Sequence, residues 1–354
     1  MNKHNFSAGP AILPKEVIDG ASKAVQELDN IGLSLIEISH RSAEFKSIME
    51  EACTLSLKLL GLQGKGYQAM YLQGGASMQF LMTAYNLLEK KAGYVNSGTW
   101  SSKAIKEAKL LGEVLELASS KDQNFNYIPK DYAIPNDLDY LHITTNNTIY
   151  GTQFQFIPET DVPLIADMSS DIFSRPFDYS KFDMFYAGAQ KNMGPSGVTL
   201  VVIKESSFNK VSRVIPSMLN YELQSNAGSM FNTPPVFAVY TVLLNLRWID
   251  KNGGLERIGS QNIKKAALIY DEIDRNPLFE GFANIEDRSN MNATFNLKDE
   301  SHAELFDPLW NQANIVGLKG HRSVGGYRAS IYNALPIQSI QVLVDRMQEF
   351  ERIA

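Results

Sequence analysis

Seven short apolar runs, at 67–72, 92–96, 112–117, 140–144, 162–166, 182–187 and 198–203, are spaced along the chain with helical stretches such as 101–111 between them. Runs of that length, bounded by turn residues, read as strands buried on both faces. Strand and helix in alternation predict an α/β fold in which a mainly parallel seven-stranded sheet is sandwiched by helices. In such a sheet the residues just beyond the carboxyl ends of adjacent strands share one rim, and ligands bind along it.

Two runs deliver ionisable residues to that rim. The run 162–166 ends in Asp167, and the run 182–187 leads into Gly188-Ala189-Gln190-Lys191, followed by the turn Gly194-Pro195-Ser196-Gly197. A lysine with an acid beside it is the pair that pyridoxal phosphate chemistry needs. The amine forms a Schiff base with the cofactor aldehyde, and the acid keeps the pyridine nitrogen protonated so that the ring can take up electrons. Singly, Lys191 reads as a solvated loop lysine and Asp167 as a helix cap. Together, ahead of a turn of small residues that lets backbone approach a ligand, they favour the cofactor.

Further motifs fall at other strand ends. Gly74-Gly75-Ala76-Ser77 follows the run 67–72 and opens a helical stretch, so its backbone N–H groups, the Ser77 hydroxyl and the helix N-terminus suit a phosphate. It matches neither a Walker nor a dinucleotide fingerprint, and alone it would read as a tight connection. Asn96-Ser97-Gly98-Thr99-Trp100 puts an aromatic on the rim, where it stacks on a flat ring or joins the core. Asn146-Asn147-Thr148-Ile149-Tyr150-Gly151 offers hydrogen bonds to a ring substituent or to its own turn. Basic residues cluster in Ser39-His40-Arg41, in Lys319-Gly320-His321-Arg322 and at Arg328. Arginine forks match carboxylate and phosphate oxygens, so these clusters point to a small molecule with two anionic ends, against the alternative of surface ion pairs.

Composition narrows the classes. The 354 residues exceed one typical domain, and the pattern changes after the glycines at 253 and 254, which close a long helix over 234–250. The expected division is an N-terminal arm, 1–15, a large cofactor-binding domain, 16–254, and a small α/β domain, 255–354, with strands at 292–297 and 327–331 and a final helix from Pro336. Lys and Arg number 33 against 39 Asp and Glu, a net charge of −6 that argues against a nucleic-acid surface or a polybasic anchor. No apolar run approaches the ~18 residues that cross a bilayer, and the N-terminus lacks the apolar centre of a secretory signal. The single cysteine, Cys53, lies inside an amphipathic helix over 44–60, where a structural thiol is the better reading than a nucleophile. A cytoplasmic home follows. The five histidines are scattered without metal-ligand spacing, so no metal is expected.

These residues resemble, from end to end, the phosphoserine aminotransferase family within the class V, fold type I pyridoxal phosphate aminotransferases. The motifs that carry the likeness are Asn5-Phe6-Ser7-Ala8-Gly9-Pro10, Ser39-His40-Arg41-Ser42, Asn96-Ser97-Gly98-Thr99-Trp100, Ala187-Gly188-Ala189-Gln190-Lys191-Asn192, Asn232-Thr233-Pro234-Pro235, Gly317-Leu318-Lys319-Gly320-His321-Arg322 and Arg328-Ala329-Ser330-Ile331-Tyr332-Asn333. The resemblance implies that Lys191 holds the cofactor aldehyde, Asp167 pairs with the ring nitrogen and Trp100 stacks on the ring. It implies that Ala76, Ser77 and Gln190 contact the cofactor phosphate, and that Thr148 reaches the ring hydroxyl region. Asn232 and Thr233 would serve the phosphate site of the other subunit of a homodimer. Arg328 would bind the substrate α-carboxylate, while His40, Arg41, His321 and Arg322 face the distal phosphate or carboxylate, and Ser7 lies near the bound amino acid. Some members carry an arginine in the glycine turn, where this chain has Ala76-Ser77-Met78.

The implied reaction is amino-group exchange between L-glutamate and 3-phosphohydroxypyruvate, in serine biosynthesis, and it leaves open the related formation of 4-phosphohydroxy-L-threonine for pyridoxine biosynthesis. Rivals on the same fold are a serine or alanine transaminase acting on glyoxylate, which needs no distal anion site, and a cysteine desulfurase, which needs a mobile cysteine. A non-catalytic carrier of the cofactor would need the lysine and the acid but not the substrate arginines.

Overall fold

The computed structural model describes residues 3–354. Its seven-stranded sheet runs, edge to edge, Tyr67–Leu72, Thr199–Lys204, Met184–Gly188, Leu164–Asp167, Leu141–Thr144, Lys91–Asn96 and Glu113–Ser119. Thr199–Lys204 is antiparallel to both of its neighbours, and the remaining ladders are parallel. The short connection from Gly188 to Thr199 explains that reversal, because a parallel return needs a crossover of a dozen residues or more.

The apolar runs are continuous because the sheet is buried on both sides. Tyr71, Leu141, Ile143, Leu164, Ala166, Phe185, Ala187, Leu200 and Val202 join one core cluster, beneath the helices Ala43–Leu59 and Val236–Lys251. Their alternating neighbours Met70, Leu72, Tyr140, Ile165, Met184, Tyr186, Val201 and Ile203 join the opposite cluster, beneath Gly75–Leu87 and Thr99–Ala108. The two-residue period of a strand thus assigns each residue to a face, and along the inner strands neither face is left for water, while the edge strand Glu113–Ser119 stays half-buried with Glu113 and Glu116 exposed.

Beyond the long helix Val236–Lys251, the helix Gly254–Arg275 gives Leu255 and Ile258 to the first cluster and Ala266, Ile269 and Ile273 to a separate one. That separate core holds an antiparallel sheet of Phe279–Gly281, Asn292–Leu297 and Tyr327–Ser330 with the helices Ala303–Gln312 and Ile337–Ile353. The N-terminal residues cross to it. His4–Asn5 pairs in parallel with Ile315–Val316, and Phe6 is wholly buried in this core. Among the described residues no helix is long and apolar enough to cross a membrane.

Phe306 is the hub of the smaller core, with ring centroids 5.2 Å from Phe279, 5.1 Å from Tyr327 and 5.3 Å from Phe350. Phe306→Ala is expected to cost about 3–5 kcal/mol of stability in denaturant unfolding, since a cavity replaces three aromatic contacts. A loss below about 1 kcal/mol would show that the core collapses around the gap.

Candidate active site

Register places the rim. Thr144 lies opposite Asp167, and Asp167 opposite Tyr186, so two adjacent parallel strands end at one level, the third runs on to Gly188 just beyond it, and Lys191 lies in the loop that follows. Its Nζ donates to Thr148 Oγ1 at 2.6 Å and lies 5.4 Å from the centroid of the Trp100 ring. Thr148 also accepts, through its carbonyl oxygen, a hydrogen bond from Arg328 Nη1 at 3.3 Å. One threonine therefore joins the amine to an arginine fork that lies 180 residues from that threonine in the chain.

Asp167 is buried, and its Oδ1 accepts from Ser169 N at 2.9 Å and from Ser169 Oγ at 2.6 Å. The Ser169 hydroxyl in turn accepts from Gly188 N at 3.1 Å, tying the acid to the strand that leads to the lysine. Among the described residues none donates to Oδ2, which leaves one carboxylate oxygen for a ligand.

Burial sets the charges. It pulls the Lys191 amine down to about 8, the field of Asp167 opposes this, and Arg328 adds to it. Burial pushes the Asp167 carboxyl up, against the pull of Lys191 and of the Ser169 hydrogen bonds. Burial likewise lowers Arg328, whose Nε is buried with no hydrogen-bond partner among the described residues, as is Trp100 Nε1. Unpartnered buried donors in one place call for a ligand that satisfies them.

The glycine turn completes the rim. Gly74 has φ +95° and directly precedes the helix Gly75–Leu87, whose first turn, with Ala76 and Ser77, has no side-chain cap. A Cβ at Gly74 would meet Met78 Cβ at 2.5 Å, so only glycine turns the chain here and leaves the helix N–H groups open to an anion. Gln190 lies in the lysine loop, and its carbonyl accepts from Ala11 N at 2.9 Å. The N-terminal arm thus rests on this loop, with Ser7 against Gly317 and the Ala8 carbonyl accepting from Tyr332 Oη at 2.9 Å.

Lys191, Asp167, Trp100, Thr148, Gln190 and Arg328 therefore converge. His321 caps its own turn, with Nδ1 and Ser323 Oγ 2.6 Å apart, and burial together with Arg328, Arg322 and Lys103 disfavours its charged form. Arg322 is exposed on the same turn. Other expected site residues stand apart. His40 and Arg41 touch one another at 3.5 Å on the loop before Ala43–Leu59, and no described hydrogen bond or ion pair joins them to Lys191 or Arg328. Asn232 and Thr233 precede the long helix. The Thr233 carbonyl accepts from Gln73 Nε2 at 2.5 Å, and Asn232 lines a cavity of about 260 Å³ with Gln73, Gly74 and Met78.

Sequence reasoning passed over Ser169, whose only local signal is a hydroxyl two residues after a strand-end acid. It also passed over Asp171, which accepts from Thr145 Oγ1 at 2.5 Å and from Gln153 Nε2 at 3.1 Å behind Asp167. The Cys53 thiol is pushed up to about 12 by burial, which leaves it inert as a nucleophile.

A half-buried lysine and a buried acid on the carboxyl rim of this sheet, with an aromatic ring and an arginine fork beside them, define a fold type I pyridoxal phosphate-dependent transferase. The class-V aminotransferase family model matches residues 3–343, and the chain belongs to that family. It is 62% identical over 353 residues to the phosphoserine aminotransferase of Flavobacterium johnsoniae, covering 99% of each chain. The solved phosphoserine aminotransferase from Bacillus circulans subsp. alkalophilus superposes with a TM-score of 0.96 at 46% identity and 99% coverage of both chains. The pyridoxal phosphate-bound enzyme from Trichomonas vaginalis gives 0.93 at 35% identity, covering 98% of this chain and 100% of that one.

The fields on Lys191 have opposite signs and can be separated in the cofactor-free protein. Wild-type Lys191 is expected to titrate near 8, Asp167→Asn to lower that midpoint, and Arg328→Met to raise it. Labelling of the Lys191 peptide by an amine reagent across pH, read by mass spectrometry, measures all three. Shifts of the same sign in both variants would contradict the assigned fields.

Proposed function

We propose that the protein exchanges an amino group between L-glutamate and 3-phosphohydroxypyruvate, giving 2-oxoglutarate and O-phospho-L-serine, with pyridoxal 5′-phosphate as its cofactor, a step of serine biosynthesis. The observation that carries the reading is the bridge through Thr148, which sets a base and a carboxylate fork side by side. The names of relatives that match over nearly the whole chain supply the substrate class.

The residues present suit the cofactor. Lys191 would hold its aldehyde carbon, the open oxygen of Asp167 its ring nitrogen, and the Trp100 ring its face. Thr148 would meet the ring hydroxyl region. Ala76, Ser77 and Gln190 would hold the phosphate, joined by Asn232 and Thr233 of a second copy. The uncapped helix start at Gly75 and the unpartnered Trp100 Nε1 support this fit.

When bound, pyridoxal phosphate supplies an aldehyde that takes up the amino group and a protonated ring that accepts the electron pair left by the departing α-proton. Lys191 moves that proton. An amine brought to about 8 is partly neutral near neutral pH, as a base must be, and Thr148 Oγ1 keeps it aimed. Asp167, held by Ser169, keeps a negative charge against the ring nitrogen. Arg328 takes the α-carboxylate, with Nη1 anchored on the Thr148 carbonyl. His40, Arg41, His321 and Arg322 receive the distal group, and because an arginine fork fits carboxylate and phosphate alike, one pocket serves both half-reactions.

The working unit is a homodimer. His40 and Arg41 follow Leu33 and Ile36 in the chain, apolar side chains 51% and 63% exposed that a second copy would cover. The two separate cores support the division into a cofactor-binding domain, 16–254, and a small domain, 255–354, with the arm 1–15 resting on the site. Its partners are small molecules, and its place is the cytoplasm.

Spectral titration of the cofactor-loaded protein tests the reading. O-phospho-L-serine is expected to convert the absorbance of the lysine-bound cofactor to that of the aminated form at concentrations where L-alanine converts little. Conversion by alanine as readily as by phosphoserine would reject a distal anion site. Lys191→Ala is expected to lower turnover at least about 10³-fold and to leave no borohydride-trapped adduct.

A further inference from the structure

We propose that Lys103 is a specificity-determining residue, supplying to the distal end of the substrate a positive charge that favours a phosphate over a carboxylate. The proposal rests on the reading given under Proposed function and extends it to a residue outside the motifs of the sequence analysis.

Lys103 lies one turn beyond Trp100 on the helix Thr99–Ala108, and its Nζ sits 4.5 Å from the centroid of the Trp100 ring. The other cation against that ring is Lys191, at 5.4 Å. Trp100 is thus a platform shared by the reacting amine and by a second, solvent-reachable ammonium.

The same platform carries the His321 turn. Val324 packs, with Trp100, against Phe125, Ile149 and Tyr150. Val324 N and Gly325 N both donate to the His321 carbonyl, at 2.8 and 2.9 Å, so the turn is fastened to that cluster through its own backbone. The field of Lys103 reaches the His321 ring together with those of Arg322 and Arg328.

Among the described residues, none of Lys103, Arg322 and Arg328 has a carboxylate within 4.0 Å, although the chain as a whole carries a net charge of −6. Cations gathered without counter-charge on an acidic protein mark a place where an anion is to be received. A phosphate monoester near neutral pH carries between one and two negative charges, and a carboxylate carries one. An added ammonium therefore stabilises the former more. Its contact with the indole face restricts the flexible lysine stem to the site's side of the helix.

The test is a comparison of half-reactions in the cofactor-loaded protein. Lys103→Met is expected to lower kcat/KM for O-phospho-L-serine about tenfold, mainly through KM, and for L-glutamate about threefold or less. Lys103→Arg, which keeps the charge, is expected to stay within about twofold of wild type for both. Equal falls for the two substrates, or no fall for phosphoserine, would overturn the proposal. A wild-type protein that does not convert phosphoserine at all would instead overturn the reading on which the proposal rests.

Discussion

The site depends on the coupling between a half-buried amine and a buried carboxylate. Water would stabilise either charge far better than a protein interior does, so burial takes from Lys191 and Asp167 each part of the preference for the charged form. Each restores part of it for the other. Neither group can be removed without shifting the ionisation of its partner, and that mutual dependence links the base to the acid. The scaffold holds the pair by register, since a slip of one residue between Leu164–Asp167 and Met184–Gly188 would turn Asp167 to the other face of the sheet.

Around that pair the chain places supports drawn from distant segments. Ser169 fixes the acid and touches the strand that leads to the lysine. Thr148 fixes the lysine and steadies Arg328, which comes from the smaller core. The N-terminal arm ties the two halves by pairing with Ile315–Val316 and lying on the Lys191 loop. Because the base and the fork belong to different cores, their spacing is set by helix Gly254–Arg275, which packs into both, and by the Asn262 amide, which donates to Ser174 O and Asn333 Oδ1 at 2.8 Å.

Much of the architecture was legible in the chain. All seven sheet strands announce themselves as apolar runs, the inner ones because they are buried on two faces and the edge strand Glu113–Ser119 through half-buried Val114, Leu115, Leu117 and Ala118, and Tyr67–Leu72 and Asn292–Leu297 begin and end where the pattern says. Elsewhere the edges drift for a physical reason. Phe182 is fully buried but caps a short turn, and Pro163 lends only its carbonyl to the ladder, so hydrophobicity there reports burial, not pairing. Lys15–Gln26 escaped notice although Val17, Ala21 and Ala24 recur on one buried face at helical spacing, and Phe279–Gly281 is only three residues long. In the site, the strand-end positions of Asp167 and Lys191 could be read locally. The Thr148–Arg328 bridge and the Ser169 support could not, since one spans two cores and the other is a common residue with a common spacing. For Arg328 the basic cluster pointed to an anionic ligand, and the family resemblance singled out the α-carboxylate.

The account stands or falls on whether Asp167 holds a positive charge on the cofactor ring. With 15N-labelled pyridoxal phosphate bound, the nitrogen chemical shift reports ring protonation directly. The wild-type protein is predicted to show the protonated shift from about pH 6 to 9, with loss of that shift in Asp167→Asn. An unprotonated ring in the wild type, or a protonated one in the variant, would contradict it.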